Sequence, residues 1–511
     1  MERIQKHIID KVTIEVNLHD EQKVQEIKNH ISSFLHNKIL TEIEGIFDDF
    51  PIGNQTIRFE KLDFDFNLIN WEDRAKVSAD LSQKLRQQLQ ESIGVSDAPV
   101  VEGGFSITGR KGQVISSEQN SRTIFLFFLE KGHLPWYGKR AQINDMLDPN
   151  NWQRNLVDKL FLKRVQTLMQ KNEKAAERFS LQLTYLQVLA FVEAVKNDLF
   201  DKRLLETYLG KCRAELRNSI LSYLLSIAVN SPAKTSQRKM HDLFFDWLAY
   251  TEIADESLDI ISASAKFHDQ FSLVVNNSGH KHLFRIKVED IKDILLRGKK
   301  QNNFLHAKRG FTQNQGSVFE NKSTVISKRP VSNVSEKEPL FFEKEHGEIA
   351  VQNAGQVLFL PFLKSFFDHF KWLEEDSALK DEHRIKAVQT VHFCATGRED
   401  FFEAEMILEK YICGLGLDTP IPAESFLNKE IIGEANHMLK EVLRHWGVLK
   451  NTSLEGLRQM FFQRDGKLIA AGRNFRLIIE QKPQDLLLER IPWNYSMIKL
   501  PWMKSLLTVE W

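Results

Sequence analysis

The stretch IPWNYSMIKLPWMKSLLTVEW, residues 491–511, carries three tryptophans, two Pro-Trp pairs and no glycine. Chain ends usually fray and are usually polar. Side chains this large and apolar need cover, and two arrangements supply it. In one, the stretch is the last strand or hairpin of its own domain, with the tryptophans in the core. In the other, it is a docking segment. A tryptophan buries roughly 200 Å² at low entropic cost and is enriched at interface hot spots. Proline pre-sets the backbone and lowers the ordering penalty of docking. Lys499, Lys504 and Glu510 keep such a segment soluble. Both arrangements hold if the stretch folds back and leaves one face open.

Upstream of the stretch, residues 348–511 read as a mainly helical domain ending in short strands. Apolar periodicity predicts helices near 355–374, 383–395, 402–413, 422–444 and 453–463. Thr452-Ser453-Leu454-Glu455 fits a capping box with Thr452 as cap. Asp465-Gly466 is a hairpin-type turn signal. Strand-like residues flank it, with Leu468 and Ile469 on one side and Phe475 to Glu480 on the other.

The N-terminus reads β-α-β-α over residues 1–95. Val12, Ile14, Val16 and Leu18 alternate with polar residues, as in a half-buried strand. Helical spacing of Val24, Ile27, Ile31, Phe34, Leu35, Ile39, Ile43 and Phe47 predicts a helix over about 21–49. A second strand holds Ile57 and Phe59, then Leu62, Phe64, Phe66 and Leu68, and an amphipathic helix covers 71–93. Residues 96–122 read as a linker. Residues 123–297 read as a helical domain, with helices near 150–171, 174–198, 201–229 and 237–251. Residues 298–347, rich in Asn, Gln, Ser and Lys, read as a polar linker. The fold class is therefore α+β, predominantly helical.

Composition narrows function. Lys+Arg and Asp+Glu are both 69, so the formal net charge is zero and no basic excess marks nucleic acid or an anionic membrane. Neutrality also leaves little charge to keep partners apart. Cys212, Cys394 and Cys413 follow no CxxC spacing, so they give neither a disulfide framework nor a zinc site. No apolar run reaches the roughly 18 residues of a membrane span, and the N-terminus lacks a secretory h-region.

The chemistry-bearing motifs are missing too. There is no phosphate loop, zinc helix or nucleophile elbow. Cys413-Gly414-Leu415-Gly416 holds a GxG without the third glycine, which a helix end and turn explain. Asp63 and Asp65 face one way on a strand, but alternation with Leu and Phe is what any half-exposed strand shows. His383 and His445 stand singly beside helices. The reading is of a non-enzyme, with no catalytic residue, no cofactor and no metal.

Several stretches carry a resemblance. NAGQVLFLPFLKSFF (353–367), RIKAVQTVHFCATGRED (384–400) and KYICGLGLDTPIP (410–422) come first. RHWGVLKNTSLEGLRQMFFQRDGKL (444–468) and the quoted 491–511 follow in order. Together they resemble the C-terminal region of the contractile injection system tape measure protein family. HIIDKVTIEV, IRFEKLDFDFNL and FLEKGHLPWYG resemble its earlier parts.

The resemblance implies a structural and assembly role in a phage-tail-like particle. It implies a protein in the lumen of the inner tube that sets tube length and engages the baseplate hub and spike. It implies a homo-oligomer, a trimer, that is cytoplasmic at synthesis and lies within the assembled particle afterwards. The matching tail nominates Pro492, Trp493, Lys499, Leu500, Pro501, Trp502, Glu510 and Trp511 as partner contacts. The rival readings are a folded assembly chaperone or cargo-loading factor of the same particle, and more remotely a hydrolase. One helix of all 511 residues would reach about 770 Å. The strands, 13 prolines and polar linker do not form such a rod.

Overall fold

The computed structural model describes residues 30–49, 55–59, 74–93, 113–196 and 348–511, with isolated positions at 7, 9, 12 and between 206 and 229. Of the elements expected from the sequence, the strand at 12–18 (all but residue 12), the strand at 62–68, the helix at 237–251 and the linker at 298–347 lie outside them. The protein is α+β and predominantly helical. It divides into two compact units, Met1–Trp152 and Gln153–Trp511. That boundary falls inside the stretch read as one helical domain.

In the first unit, a π-helical stretch at Leu35–Leu40 runs into helix α1, Thr41–Asp48. Ile46 of α1 meets Leu85 and Leu89 of α2, Arg74–Ile93, with Ile43, Phe47, Ile57 and Phe59 packed around them. Strand β1, Gln55–Arg58, pairs antiparallel with β2, Gln113–Ser116. β2 and the start of α3, Ser117–Lys131, lie within the segment read as a linker. Ser116 caps α3 by accepting from the Gln119 N–H, and the Gln119 side chain accepts from the Ser116 N–H. This reciprocal cap starts a helix where composition had suggested a loop. Gly132, at φ +79°, ends α3, and α4 follows at Arg140–Leu147.

Helix α5 spans Pro149–Val157. In the second unit, α6 is Lys159–Lys171, α7 is Glu173–Gln182 and α8 is Tyr185–Val195. Two long helices were expected here. Asp158 and Thr184 divide them, and Asn172 stands at the expected break between the two; each side chain accepts a backbone N–H of the helix it caps.

The C-terminal part begins with strand β3, Glu348–Val351, and a 3-10 turn at Ala354–Phe359 that leads into α9, Leu360–His369. α10, Asp381–Thr396, is buried along most of its length. α11 is Ile407–Ile412 and α12 is Lys429–His445, opened by Asn428 seven residues later than the apolar pattern suggested. α13, Leu454–Leu457, runs into a π turn at Arg458–Phe462. Its cap is Ser453, whose hydroxyl accepts from the Gly456 N–H at 3.0 Å, in place of the expected Thr452.

Strands β4, Gly466–Ala471, and β5, Asn474–Ile479, form a hairpin. Its turn is Gly472-Arg473, with Gly472 at φ +65°, and not the expected Asp465-Gly466. Gly466 instead opens β4, where a Cβ would stand 2.6 Å from the Ala354 Cβ and 2.7 Å from the Ile478 carbonyl oxygen. The residue signals a close backbone approach, and turn statistics alone do not separate the two. β6, Met497–Ile498, and β7, Leu507–Glu510, complete a sheet of order β3-β4-β5-β7-β6. One contiguous apolar cluster under this sheet takes in Phe359, Phe367, Leu439, Trp446, Phe461 and Leu507.

The tightest point of the domain is Gly355, where a Cβ would lie 1.7 Å from the Phe461 carbonyl oxygen. Gly355→Ala is expected to cost about 3 kcal/mol, the upper end for overpacking. At Gly433, in α12, a Cβ would meet no atom within 4 Å. Gly433→Ala is expected to gain about 0.5–1 kcal/mol from helix propensity. Urea midpoints of the two variants against wild type, moving in opposite directions, check this.

Candidate functional site

The aromatic tail is built into its own domain. β7 pairs parallel with β5 and antiparallel with β6, so it lies inside the sheet. Leu507 and Val509 face the core, and Thr508 and Glu510 face away. Each indole N–H of the tail finds an acceptor. Trp493 Nε1 donates to the Leu358 carbonyl at 2.9 Å and its ring meets Phe362 edge-on. Trp502 Nε1 donates to the Ile412 carbonyl at 2.9 Å, and its ring lies 5.1 Å from Phe367. Trp511 Nε1 donates to Asp485 Oδ2 at 3.0 Å. The other oxygen of Asp485 accepts from Arg464, which is fully buried, at 2.9 Å.

The eight nominated residues therefore divide. Trp493, Leu500, Trp502 and Trp511 turn their side chains to the domain. Pro492, Lys499, Pro501 and Glu510 are exposed. Lys499 Nζ donates to the Met503 carbonyl, and Glu510 pairs with Arg476 at 3.3 Å. The tail presents a wet, mixed-charge border over a dry aromatic base.

A second constellation was not foreseen from the sequence. Glu403 is fully buried, and its Oε1 accepts from Arg178 Nε at 2.9 Å and from Lys410 Nζ at 2.7 Å. Arg178 Nη2 also donates to the Asp418 carbonyl at 2.8 Å, and Lys410 to that of Leu417 at 3.1 Å. Burial pushes the Lys410 ammonium below its usual range, with Glu403 beside it acting in the opposite direction. Next to this group, buried His392 lies with Nδ1 3.0 Å from Glu409 Oε1. Its Nε2 is 3.9 Å from Glu405 Oε2, and Arg398 pairs with Glu405 on the outer side.

One signal for this cluster is legible in retrospect. ILEKYI, residues 407–412, places Glu409 and Lys410 in a helix that is buried all round. Charges there demand partners. The partner Arg178 lies more than two hundred residues away, which no local pattern can reveal. Among the described residues no group of three His, Cys, Asp or Glu is spaced to hold a metal ion. What the arrangement does chemically is neutralise charge inside a packed domain and join distant segments.

Two thiols sit in the same interior. Burial pushes the Cys394 thiol up to about 12 and also raises that of Cys413. Cys212 lies outside the described residues.

Compared with known proteins, residues 6–511 match the model of one family, described as contractile injection system tape measure protein. No curated protein and no solved structure matches the chain.

Removing the shared acceptor of the ionic cluster takes from two buried cations the carboxylate between them. Glu403→Gln is therefore expected to cost about 3–5 kcal/mol. Arg178→Ala leaves the Glu403–Lys410 pair intact and is expected to cost less, about 1–3 kcal/mol. Denaturant midpoints of the full chain give the order.

In a Cys212→Ser background, a thiol-specific reagent at pH 8 is expected to label neither Cys394 nor Cys413 until urea is added. The unfolded thiol, at 9.0, releases its proton before the folded Cys394. The folded state then holds more protons, so this contribution to stability falls as pH climbs from 9 toward 12. Melts across that window check the sign.

Proposed function

The chain belongs to the contractile injection system tape measure protein family, and from that premise we propose that it occupies the lumen of the inner tube, sets the tube's length and engages the baseplate hub and spike. The observation that carries the reading is the extent of the family match, residues 6–511. The role is one of a structural protein within the particle. No described helix is long and apolar enough to cross a membrane.

The fold shapes how such a protein works. The longest helix among the described residues, α2, has 20 residues, which is about 30 Å. No continuous helical rod measures the tube over these parts. The C-terminal domain, with its closed core, is better suited to be the anchored end. Its contact border is then Pro492, Lys499, Pro501 and Glu510, exposed over the buried tryptophans. Deleting residues 492–511 removes β6 and β7 and so tests folding more than contact. Surface substitutions separate the two.

Purified particles, analysed by quantitative mass spectrometry and by electron microscopy of tube length, test the proposal. The wild-type chain is expected at a few copies per particle, and its deletion is expected to give no tubes or tubes of irregular length. The double variant Lys499→Glu, Glu510→Lys is expected to melt as wild type does and to be depleted from particles. A chain absent from mature particles of normal length overturns the lumenal role. It would leave a folded helper that stays in the cytoplasm.

A further inference from the structure

Helix α7 meets the C-terminal domain through one polar face. Lys174, Arg178 and Gln182 recur every fourth residue and so share a side of the helix. Lys174 pairs with Asp418, and Arg178 reaches Glu403 and the Asp418 carbonyl. Gln182 Nε2 donates to the Ile421 carbonyl at 2.6 Å and to that of Phe401 at 3.3 Å. Gln182 Oε1 accepts from the Glu403 N–H at 3.0 Å. Just beyond, the Ala423 N–H donates to the Leu181 carbonyl at 3.0 Å. The whole cup, residues 401–423, is a loop segment around the short helix α11.

Apolar contacts are distributed differently from these polar ones. Among the described residues, the contiguous core of the C-terminal domain is drawn from residues 349–511, with no member from α6, α7 or α8. The helical side is instead stitched to its own continuation, with Gln170 donating to the Val229 carbonyl and Ser180 bonded to Ser222.

We propose that α7 and the 401–423 cup form a releasable clasp, which holds the chain folded back before assembly and opens when the chain is loaded into the tube. This rests on the lumenal reading above. Two features ease opening. A polar joint regains hydration when it separates, whereas an apolar one of equal size loses its main driving force. Redundant pairing also spares the cup an orphaned charge. After Arg178 leaves, Glu403 keeps Lys410 and the Ile421 N–H, and Asp418, partly exposed, turns to water. Opening this joint separates α7 from the 401–423 segment without unfolding the C-terminal core.

The test is a disulfide across the joint in the full chain. The Ala423 N–H to Leu181 carbonyl bond crosses the joint, so Leu181→Cys with Ala423→Cys is made there in a Cys212→Ser background. Oxidation is expected to lock the purified chain. Incorporation of the locked chain into particles is expected to drop at least about tenfold, and dithiothreitol is expected to restore it. Failure to form the disulfide, or normal tubes containing the locked chain, overturns the clasp.

Hydrogen exchange on the purified chain gives a readout independent of assembly. Arg178→Ala is expected to speed exchange in peptides covering 401–423 by about tenfold or more and to leave α10 unchanged. Equal acceleration in α10, or none in 401–423, also overturns it. If the wild-type chain proves absent from particles, the lumenal reading falls, and exchange alone decides whether the joint opens.

Discussion

The parallel pairing of β5 with β7 is the constraint on which the C-terminal domain depends. Phe475 to Ile478 align with Leu507 to Glu510, and this register fixes where every later side chain points. A one-residue slip would turn Leu507 and Val509 out of the core. A parallel neighbour also needs a crossover. Here the chain between β5 and β7 makes it with the 3-10 segment Pro483–Arg490, strand β6 and the two Pro-Trp pairs. Those tryptophans close the far side of the crossover against Phe362 and Phe367. Asp485 then ties the crossover to the sheet by serving Arg464 and Trp511 at once.

Two kinds of cohesion coexist in the second unit. Under the sheet, packing is apolar and continuous, and its positions are specified by shape. Along α7 and α11 it is ionic and specified by geometry, since Glu403 must meet two cations and a backbone N–H within one pocket. The first kind sums many small terms, and the second concentrates in a few residues. Loss of one methyl from the core and loss of one carboxylate from the cluster are not comparable injuries.

Much of this was readable from residues alone. Alternation at 475–480 and around Leu468 locates β4 and β5, and the apolar period locates α9 to α12 to within a turn or two. The failures have physical causes. The Gly466 signal was ambiguous because glycine serves turns and close contacts equally. Strand β3 is four residues long and is stabilised by pairing with β4, so its own pattern is faint. The Ser116 cap depends on a glutamine three residues on, within a segment whose composition suggests a loop. The Arg178–Glu403 pair is invisible to any windowed reading. The role of the tail was half legible: its tryptophans announced burial, but not whether the burying surface was its own.

The sheet order also sets an itinerary for the nascent fold. β4 and β5 meet across a two-residue turn, so they pair early. β3 must return to β4 across roughly 120 residues, a closure costing about 4 kcal/mol in chain entropy before any bond offsets it. β7 arrives by a crossover. Such long-range pairings slow folding. Until both strands dock, the hairpin carries two bare edges, each a template for the wrong strand. The domain's slowest moment is thus also its stickiest, and a molecule destined for an ordered array passes through it as a candidate for a disordered one.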